Sequence, residues 1–471
     1  MSQGAGSAEF VGPRADGGGA WLLPEPVAAV ARRLLEAGER ALLVGGAVRD
    51  GWLGREPADY DLATTALPER VRALFPGSVA DDAAFGRVLV GAVDVLTLRR
   101  EAEYRDRRRP SRVTFTRSVR ADLARRDFTV NAMAVDLENG RLLDPWGGRW
   151  DLSRGVLRTV GAAWGRLEED ALRVLRAVRL RAQLGLSYHQ TLADALSEAG
   201  ARGTLAPVAA ERIRDELERI LLGPTPDLAL RDLDRYRLLA QVLPECVPMV
   251  GCAQRNPMHR HDVWEHSVRA VQAVAPVLHL RWAALWHDVG KPSCRTVDEQ
   301  GGTHFYGHEV AGADIAAAGL RQLRVPGALA RSVVALVRHH MFSYGPETGL
   351  GAARRLVVAL GPQGVRDLLE LRRADRQASL WGAGYGPEGE RLLAHLGEIA
   401  SRGERLLLHQ LAVDGHDVMR ILGLEPGPAV GRVLRELHGR VLDGELRNRR
   451  EDLLAQLACR GAVTRGDPGG V

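Results

Sequence analysis

Residues 42 to 65 read "LLVGGAVRDGWLGREPADYDLATT", placing Asp59 and Asp61 one residue apart behind a Gly-Gly pair and Arg49. In a strand, positions i and i+2 share a face, so the two carboxylates are expected to point the same way. Two bare carboxylates that close raise each other's pKa unless a divalent cation neutralises them. Hard oxygen ligands suit Mg²⁺, which takes the rest of its shell from water and substrate phosphates. A two-metal site of this kind lowers the pKa of an attacking hydroxyl and steadies a leaving pyrophosphate. Asp94, in the alternating "VLVGAVDVLTL", is placed to be a third carboxylate. Gly45 and Gly46 let backbone N–H groups approach a phosphate, and Arg49 can fork onto its oxygens.

A second group of candidate ligands begins near residue 259. The strings "MHRHDVWEHSVRA", "LWHDVGKP", "THFYGHEVAG" and "VRHHM" hold eight of the 14 histidines, and "RRADRQA" follows. Mixed imidazole and carboxylate ligands suit a first-row transition metal better than Mg²⁺. Such a metal can generate hydroxide and polarise a phosphodiester. Lys291, in "HDVGKP", is the single lysine among 64 basic residues, a bias that GC-rich coding would explain. It is either an ammonium placed near a phosphate or a chance survivor.

The elements that must position these residues follow from patterning. At 471 residues the chain should split into about three or four units. Hydrophobic content of 45% with 26% charged residues describes an ordinary globular protein, and a formal charge of +5 suits a polyanionic partner. No apolar run approaches a membrane span. Four scattered cysteines exclude a disulfide framework and a zinc ribbon. The opening "MSQGAGSAEFVGPRADGGG" reads as a disordered lead-in to a cytoplasmic protein. "EPVAAVARRLLEAG" has helical periodicity, while "ALLVGG", "ADYDLATT" and "GRVLVGAVDVLTLR" read as three strands. Arg99 to Arg120 reads as a mobile, arginine-crowded loop. Strands and helices alternate to about residue 155, and the rest is helical. The fold class is therefore α+β: a small α/β head on a long helical body.

"LLVGGAVRD", "DYDLATTA", "RRDFTVNAMAVD", "LLDPWGG" and "EDALRVLRAVRLRAQLG" occur in this order. Together they resemble the bacterial (class II) tRNA nucleotidyltransferase and poly(A) polymerase family, within the polymerase β-like nucleotidyltransferase superfamily. The likeness implies that Gly46 and Arg49 hold the triphosphate and that Asp59 and Asp61 hold the catalytic Mg²⁺. It gives Arg126 and Asp127 contacts to phosphate and ribose, with Asn131 supporting them. Asp170 and Arg173 would read the base, and Arg176 and Arg179 lie farther along the same helix. Positions 169/170, 173 and 176 fall on one helical face. There an Asp acceptor and an Arg donor can match the Watson–Crick edge of C or A. The loop "RREAEYRDRRRPSRVTF" is either a basic surface touching RNA phosphates or, as in the family, a segment that switches nucleotide choice. Its presence disfavours an enzyme that adds only the two C residues.

The histidine cluster resembles the HD phosphohydrolase superfamily. That likeness implies that His266, His287, Asp288 and Asp375 bind a divalent Mn, Ni or Fe, with His308 and His340 (or its neighbour His339) at a second metal. It would hydrolyse phosphate esters such as 2′,3′-cyclic or 2′-phosphates, or survive as a packing module. The expected division is a lead-in 1–24, a head 25–155, a helical neck and RNA-binding body 156–250, an HD domain 251–385 and a C-terminal helical tail 386–471. In the tail, the turn-helix "GLEPGPAVGRVL" either presents backbone amides to RNA or is a plain Gly-Pro cap. The function implied is template-independent addition of CCA to tRNA from CTP and ATP, without a membrane partner. Poly(A), A-only or CC-only addition is the alternative within this chemistry. From another class, the alternative is a metal-dependent phosphohydrolase on RNA ends with an inactive head. A purely RNA-binding protein is disfavoured, since clustered like charges are costly to keep without a metal.

Overall fold

The computed structural model describes residues 7–10, 21–104, 110–254, 260–379 and 382–465 of the chain. They form two compact units, Met1–Pro244 and Glu245–Val471.

The first unit is built on a seven-stranded sheet in the order Leu142–Leu143, Ala134–Asp136, Ala41–Val44, Asp61–Thr64, Val93–Thr97, Arg87–Val90 and Val79–Asp82. Neighbours pair antiparallel except Asp61–Thr64 with Val93–Thr97, which run parallel. Helix Glu25–Glu36 starts with a proline in its first turn and buries the stripe Val27, Ala28, Val30, Ala31 and Leu34. Leu42, Leu43 and Leu62 are fully buried, worth about 1.5–3 kcal/mol each. Their register pairs Leu43 with Leu62 and Val44 with Asp61. A slip of one residue would turn Leu62 outward and Asp61 to the opposite face, so burial of the leucines aims the carboxylate. Helices Arg173–Leu184, Gln190–Ala201, Ala210–Leu221 and Pro226–Arg235 complete the unit.

The second unit is helical apart from the short hairpin Thr296–Val297 with Thr303–His304. Its helices are Val263–Ala273, Leu278–Trp286, His308–Gln322, Gly327–His339 and Leu350–Ala378, followed by Gly386–Ser401, Gly415–Leu422, Pro428–Leu442 and Arg450–Arg465. Leu350–Ala378 is kinked where Gly361 leaves helical geometry ahead of Pro362.

Five local expectations change. Within the expected disordered lead-in, Ser7–Phe10 pairs antiparallel with Trp21–Pro24, while 1–6 and 11–20 lie outside the described residues. The Arg99–Arg120 segment is no open loop: Arg99–Tyr104 pairs with Pro110–Phe115, with 105–109 outside the described residues. A helix Val119–Ala124 follows, capped by the Ser118 side chain. "GRVLVGAVDVLTLR" is two strands, because a turn at Gly91–Ala92 folds it into a hairpin. The strand in "ADYDLATT" starts only at Asp61. Finally, "EDALRVLRAVR" is not one helix. Ala163–Glu169 stops at Asp170, whose backbone is extended and whose carboxylate accepts from the Leu172 N–H before the next helix begins at Arg173.

Candidate active sites

In the first unit three chain features meet at one end of the sheet. Strand Ala41–Val44 ends beside Asp61, and Asp94 is the register partner of Asp61 on the parallel strand. Gly45 then turns the chain into helix Gly46–Trp52 at φ +73°. A Cβ at Gly45 would sit 2.9 Å from the Arg126 guanidinium, so the bend needs glycine for conformation and for space. Asp59 is exposed and lies just outside the strand, so the shared pleat expected of Asp59 and Asp61 does not form. Their proximity remains electrostatic. Burial and then the charge of Asp59 raise the Asp61 pKa, Asp94 adds to the rise, and Arg126 and Arg87 oppose it. This is the frustration a divalent cation relieves. Arg87 forks onto Asp94 through Nε at 2.7 Å and Nη2 at 3.1 Å. The sequence reading missed Arg87, although the hairpin that pairs its strand with that of Asp94 was the available signal.

Four predicted nucleotide-site residues form one hydrogen-bonded chain. Arg49 forks onto Asp50 at 2.8 and 2.9 Å and donates through Nη1 to Asn131 Oδ1 at 2.7 Å. Asn131 Nδ2 donates to Asp127 at 3.1 Å, and the other Asp127 oxygen accepts from Arg176 Nε at 2.8 Å. Burial alone would raise the Asp127 pKa, yet the Arg176 charge and the Asn131 hydrogen bond hold it at about 2. Arg126 sits beside Asp61 and Gly45, and its buried Nε has no hydrogen-bond partner among the described residues. A buried, unmatched guanidinium N–H next to a glycine bend fits an anionic ligand such as a phosphate. The two residues expected to read the base have protein partners. Asp170 accepts from Arg212 at 3.1 and 3.2 Å, while Arg173 donates to Glu169 at 2.5 Å and to the carbonyls of Arg166 and Arg125. Arg179 is bound by Glu216 at 2.6 Å. Arg212 and Glu216, on helix Ala210–Leu221, had no sequence signal beyond an ordinary charged face.

In the second unit the predicted ligands come from five helices. His266 lies in the first turn of Val263–Ala273 and His308 opens His308–Gln322. His287 and His340 end Leu278–Trp286 and Gly327–His339, and Asp375 lies near the end of Leu350–Ala378. Gly290 makes the assembly possible, since a Cβ there would meet the His308 carbonyl at 2.3 Å. Two groups result, His266–His287–Asp375 and Asp288–His308–His340, each with donor atoms within 4.8 Å of one another. His340, and not its half-buried neighbour His339, joins the cluster. Asp288 spans both groups, with one oxygen 3.3 Å from His287 Nε2 and the other 3.4 Å from His308 Nε2.

The donor chemistry fits metal. Nδ1 of His287, His308 and His340 faces a backbone carbonyl at 2.9, 2.7 and 2.7 Å. That contact puts the proton on Nδ1 and leaves Nε2 a lone pair. Nε2 of His308 then faces Nε2 of His340 at 3.2 Å, an arrangement that a shared cation stabilises. Lys291 resolves into a structural partner: its buried ammonium donates to Asp288 at 2.7 Å and Gln254 at 2.8 Å. Burial would raise the Asp288 pKa, but His287 and Lys291 hold the carboxyl well below its usual range. By contrast, no three head carboxylates reach the 4.8 Å spacing among the described residues, and Asp94 is bound by Arg87.

Comparison with known proteins matches these parts in order. The family model for the poly(A) polymerase head domain covers 41–158, and the probable RNA- and SrmB-binding site of polymerase A covers 191–249. The HD domain covers 262–378, and domain 2 of tRNA nucleotidyltransferase covers 396–457. An A-adding tRNA nucleotidyltransferase of Deinococcus radiodurans is 36% identical over 84% of this chain and 90% of its own length. A CC-adding tRNA nucleotidyltransferase of Thermus thermophilus is 36% identical over 89% of this chain and 94% of its own. The crystal structure of the Bacillus stearothermophilus CCA-adding enzyme in complex with CTP superposes with a TM-score of 0.71 at 31% identity, covering 94% of this chain and 98% of that one. The order of motifs, the sheet-end carboxylates and these matches agree: the chain belongs to the bacterial tRNA nucleotidyltransferase family, with a poly(A) polymerase-type head and an HD domain.

Proposed function

We propose that this chain completes the 3′ end of tRNA, adding C, C and A from CTP and ATP without a nucleic-acid template. The observation that carries the reading is the crowding of Asp61 by Asp59 and Asp94 at a glycine bend, beside the buried Arg126 guanidinium, which is paired with Asp122 through Nη2 at 3.5 Å and whose Nε has no partner among the described residues. Mg²⁺ bound at Asp59 and Asp61, with Asp94, would neutralise these charges and acidify the attacking hydroxyl. The tRNA 3′-oxygen attacks the α-phosphorus, the bond to the bridging oxygen breaks, and pyrophosphate leaves. Gly45, Gly46, Arg49 and Arg126 would hold the phosphates, with the hydrogen-bonded chain of Asn131, Asp127 and Arg176 supporting Arg49. Asp170 and Arg173 become readers of the base edge by exchanging Arg212 and Glu169 for the nucleotide. The relatives add CCA, CC or A. The retained Arg99–Phe115 ribbon favours addition of all three nucleotides over CC alone. The work of such an enzyme is cytoplasmic, and no helix among the described residues is long and apolar enough to cross a membrane. The division of the chain proposed from sequence, with a head at 25–155 and an HD domain at 251–385, is kept.

The test is single-nucleotide extension of one tRNA transcript ending before CCA, after C, or after CC, with CTP and ATP alone and together. Extension by three supports full CCA addition. Extension of the CC-ended transcript alone makes it an A-adding enzyme, and incorporation of neither nucleotide discards the reading.

A second activity is supported by the paired ligand groups sharing Asp288. A divalent Mn, Ni or Fe at each would supply hydroxide and polarise a phosphate ester. Water attacks phosphorus and the esterified oxygen leaves as an alcohol. Release of phosphate from nucleoside 2′-phosphates, lost on His287→Ala, is the expected result, and equal release by that variant would reject it.

A further inference from the structure

The metal-capable cluster opens into a cavity of about 560 Å³, within the size range of small-molecule sites. Beyond the ligands, its wall carries an aromatic ledge that neither activity above has used. Tyr306 lines the cavity yet is 81% exposed, an uncommon state for a large aromatic ring. It is held in orientation all the same. Its ring lies parallel to that of His304, at 3° with centroids 5.5 Å apart, an offset stack. His304 is fixed in turn by Asp298, whose Oδ2 lies 2.7 Å from Nε2. One face of the stacked pair is thus presented to solvent at the mouth of the pocket.

Its position relative to the chemistry is set by the chain. Tyr306 is separated from the ligand His308 by Gly307 alone, so their backbones lie within about 7 Å, the span of one nucleotide. Arg372, ion-paired with Glu388 at 2.6 Å, and Arg376 also line the cavity, on the helix face that carries Asp375. The cavity therefore offers an anion site at the metal-capable ligands, and a π-face two residues along the chain from His308.

We infer that the Tyr306–His304 ledge is a nucleobase platform, making the second site selective for nucleoside phosphates over phosphate esters that lack a base. The inference rests on the phosphohydrolase reading for its anion site. It adds a residue that determines specificity, the stacked base coming from either of two sources, a free nucleotide or the 3′-terminal nucleoside of an RNA. Stacking of one base on one aromatic ring corresponds to a loss of about 5- to 150-fold in affinity on truncation to alanine.

The experiment uses the full-length Mn²⁺-loaded protein and its Tyr306→Ala and Tyr306→Trp variants. Calorimetric affinities are measured for adenosine 2′-phosphate, a short RNA ending in a 2′-phosphate, and ribose 5-phosphate. Photocrosslinking of 8-azidoadenosine 2′-phosphate is mapped by peptide mass spectrometry. Tyr306→Ala is expected to weaken one or both base-containing ligands by the stated factor, with ribose phosphate unchanged. Tyr306→Trp should retain binding, and the crosslink should fall in the segment around 303–307. The arm that weakens identifies the source. Equal affinities of wild type and Tyr306→Ala for both base-containing ligands would overturn the platform while leaving any hydrolysis of ribose 5-phosphate intact. Tyr306-dependent binding without phosphate release would uphold the platform and reject hydrolysis. Because the side chain is exposed, neither substitution threatens the fold.

Discussion

In the head, Asp61 opens a strand, Asp59 lies two residues before it and Asp94 is on the neighbouring strand, and arginines share part of their charge. In the second unit, five ligand-type side chains, His266, His287, His308, His340 and Asp375, gather around the single shared carboxylate of Asp288. The difference follows from ligand chemistry. A hard cation that takes half its shell from substrate phosphates needs an open, incomplete cage, and the oxygen donors may be loosely spaced until substrate comes. A transition-metal site built from imidazoles supplies its own shell, so each ring must be oriented by a carbonyl behind it. The open site depends on charge frustration, whereas the closed one depends on packing.

Substitutions can break or sharpen that contrast. The largest effect is expected for Asp61→Ala, which should slow nucleotide incorporation on the order of 10³-fold or more, the several kcal/mol of charge stabilisation at stake. Metal content of the second unit should be unchanged, as measured by elemental analysis. Loss of metal there would mean that the two sites are not separable.

Asp288→Ala is next. It leaves the buried Lys291 ammonium without its carboxylate and removes the bridge between the two groups. A loss of about 3–5 kcal/mol in the stability of the second unit is expected, with bound metal lost and incorporation by the head within about twofold of wild type. Calorimetry with metal analysis checks it, and an unaltered melting profile would contradict the packing account.

Asp127→Asn should cost about 2 kcal/mol at neutral pH, from a folded pKa of about 2 against an ordinary carboxyl. Because the folded value is depressed, the contribution is present above the unfolded pKa and is lost as pH falls through about 2. The gap between wild type and variant in urea denaturation should therefore narrow on acidification below about pH 4. A gap independent of pH would show that Asp127 acts by shape alone.

The smallest effect has the opposite sign. The raised Asp61 pKa makes its ionised form the strained one, so Asp61→Asn should slightly stabilise the head at pH 7. Because the folded pKa is raised, the gain should fade as pH falls through that raised value and be gone at the ordinary carboxyl range. A destabilised variant at neutral pH would remove the charge-frustration argument.

Much of this was legible in the residues. The buried strand before Gly45, the acidic pair and the His-Asp cluster come from local patterns, whereas Asp127, Asn131 and Arg176 were named only through the family resemblance and their hydrogen-bonded chain with Arg49 emerges from the fold. What sequence could not supply were partners chosen by tertiary pairing. Arg87 reaches Asp94 only because Gly91 folds one apparent strand into two, and Arg212 finds Asp170 only through packing of a distant helix. The break at Asp170 was hidden because charge spacing fits a continuous helix. Only the competing hydrogen bond from its side chain to the Leu172 N–H shows otherwise. The ribbon at Arg99–Phe115 was hidden for a different reason, since charged residues mask β-pairing that needs no buried face.

The most direct test of the central claim is single-turnover incorporation of CMP into a tRNA transcript lacking CCA, by wild type and Asp61→Asn, across a Mg²⁺ titration. The account predicts a wild-type rate that rises with Mg²⁺ and saturates, and a variant slower by on the order of 10³-fold at every concentration. Equal rates within a few-fold, or a wild-type rate indifferent to Mg²⁺, would contradict it.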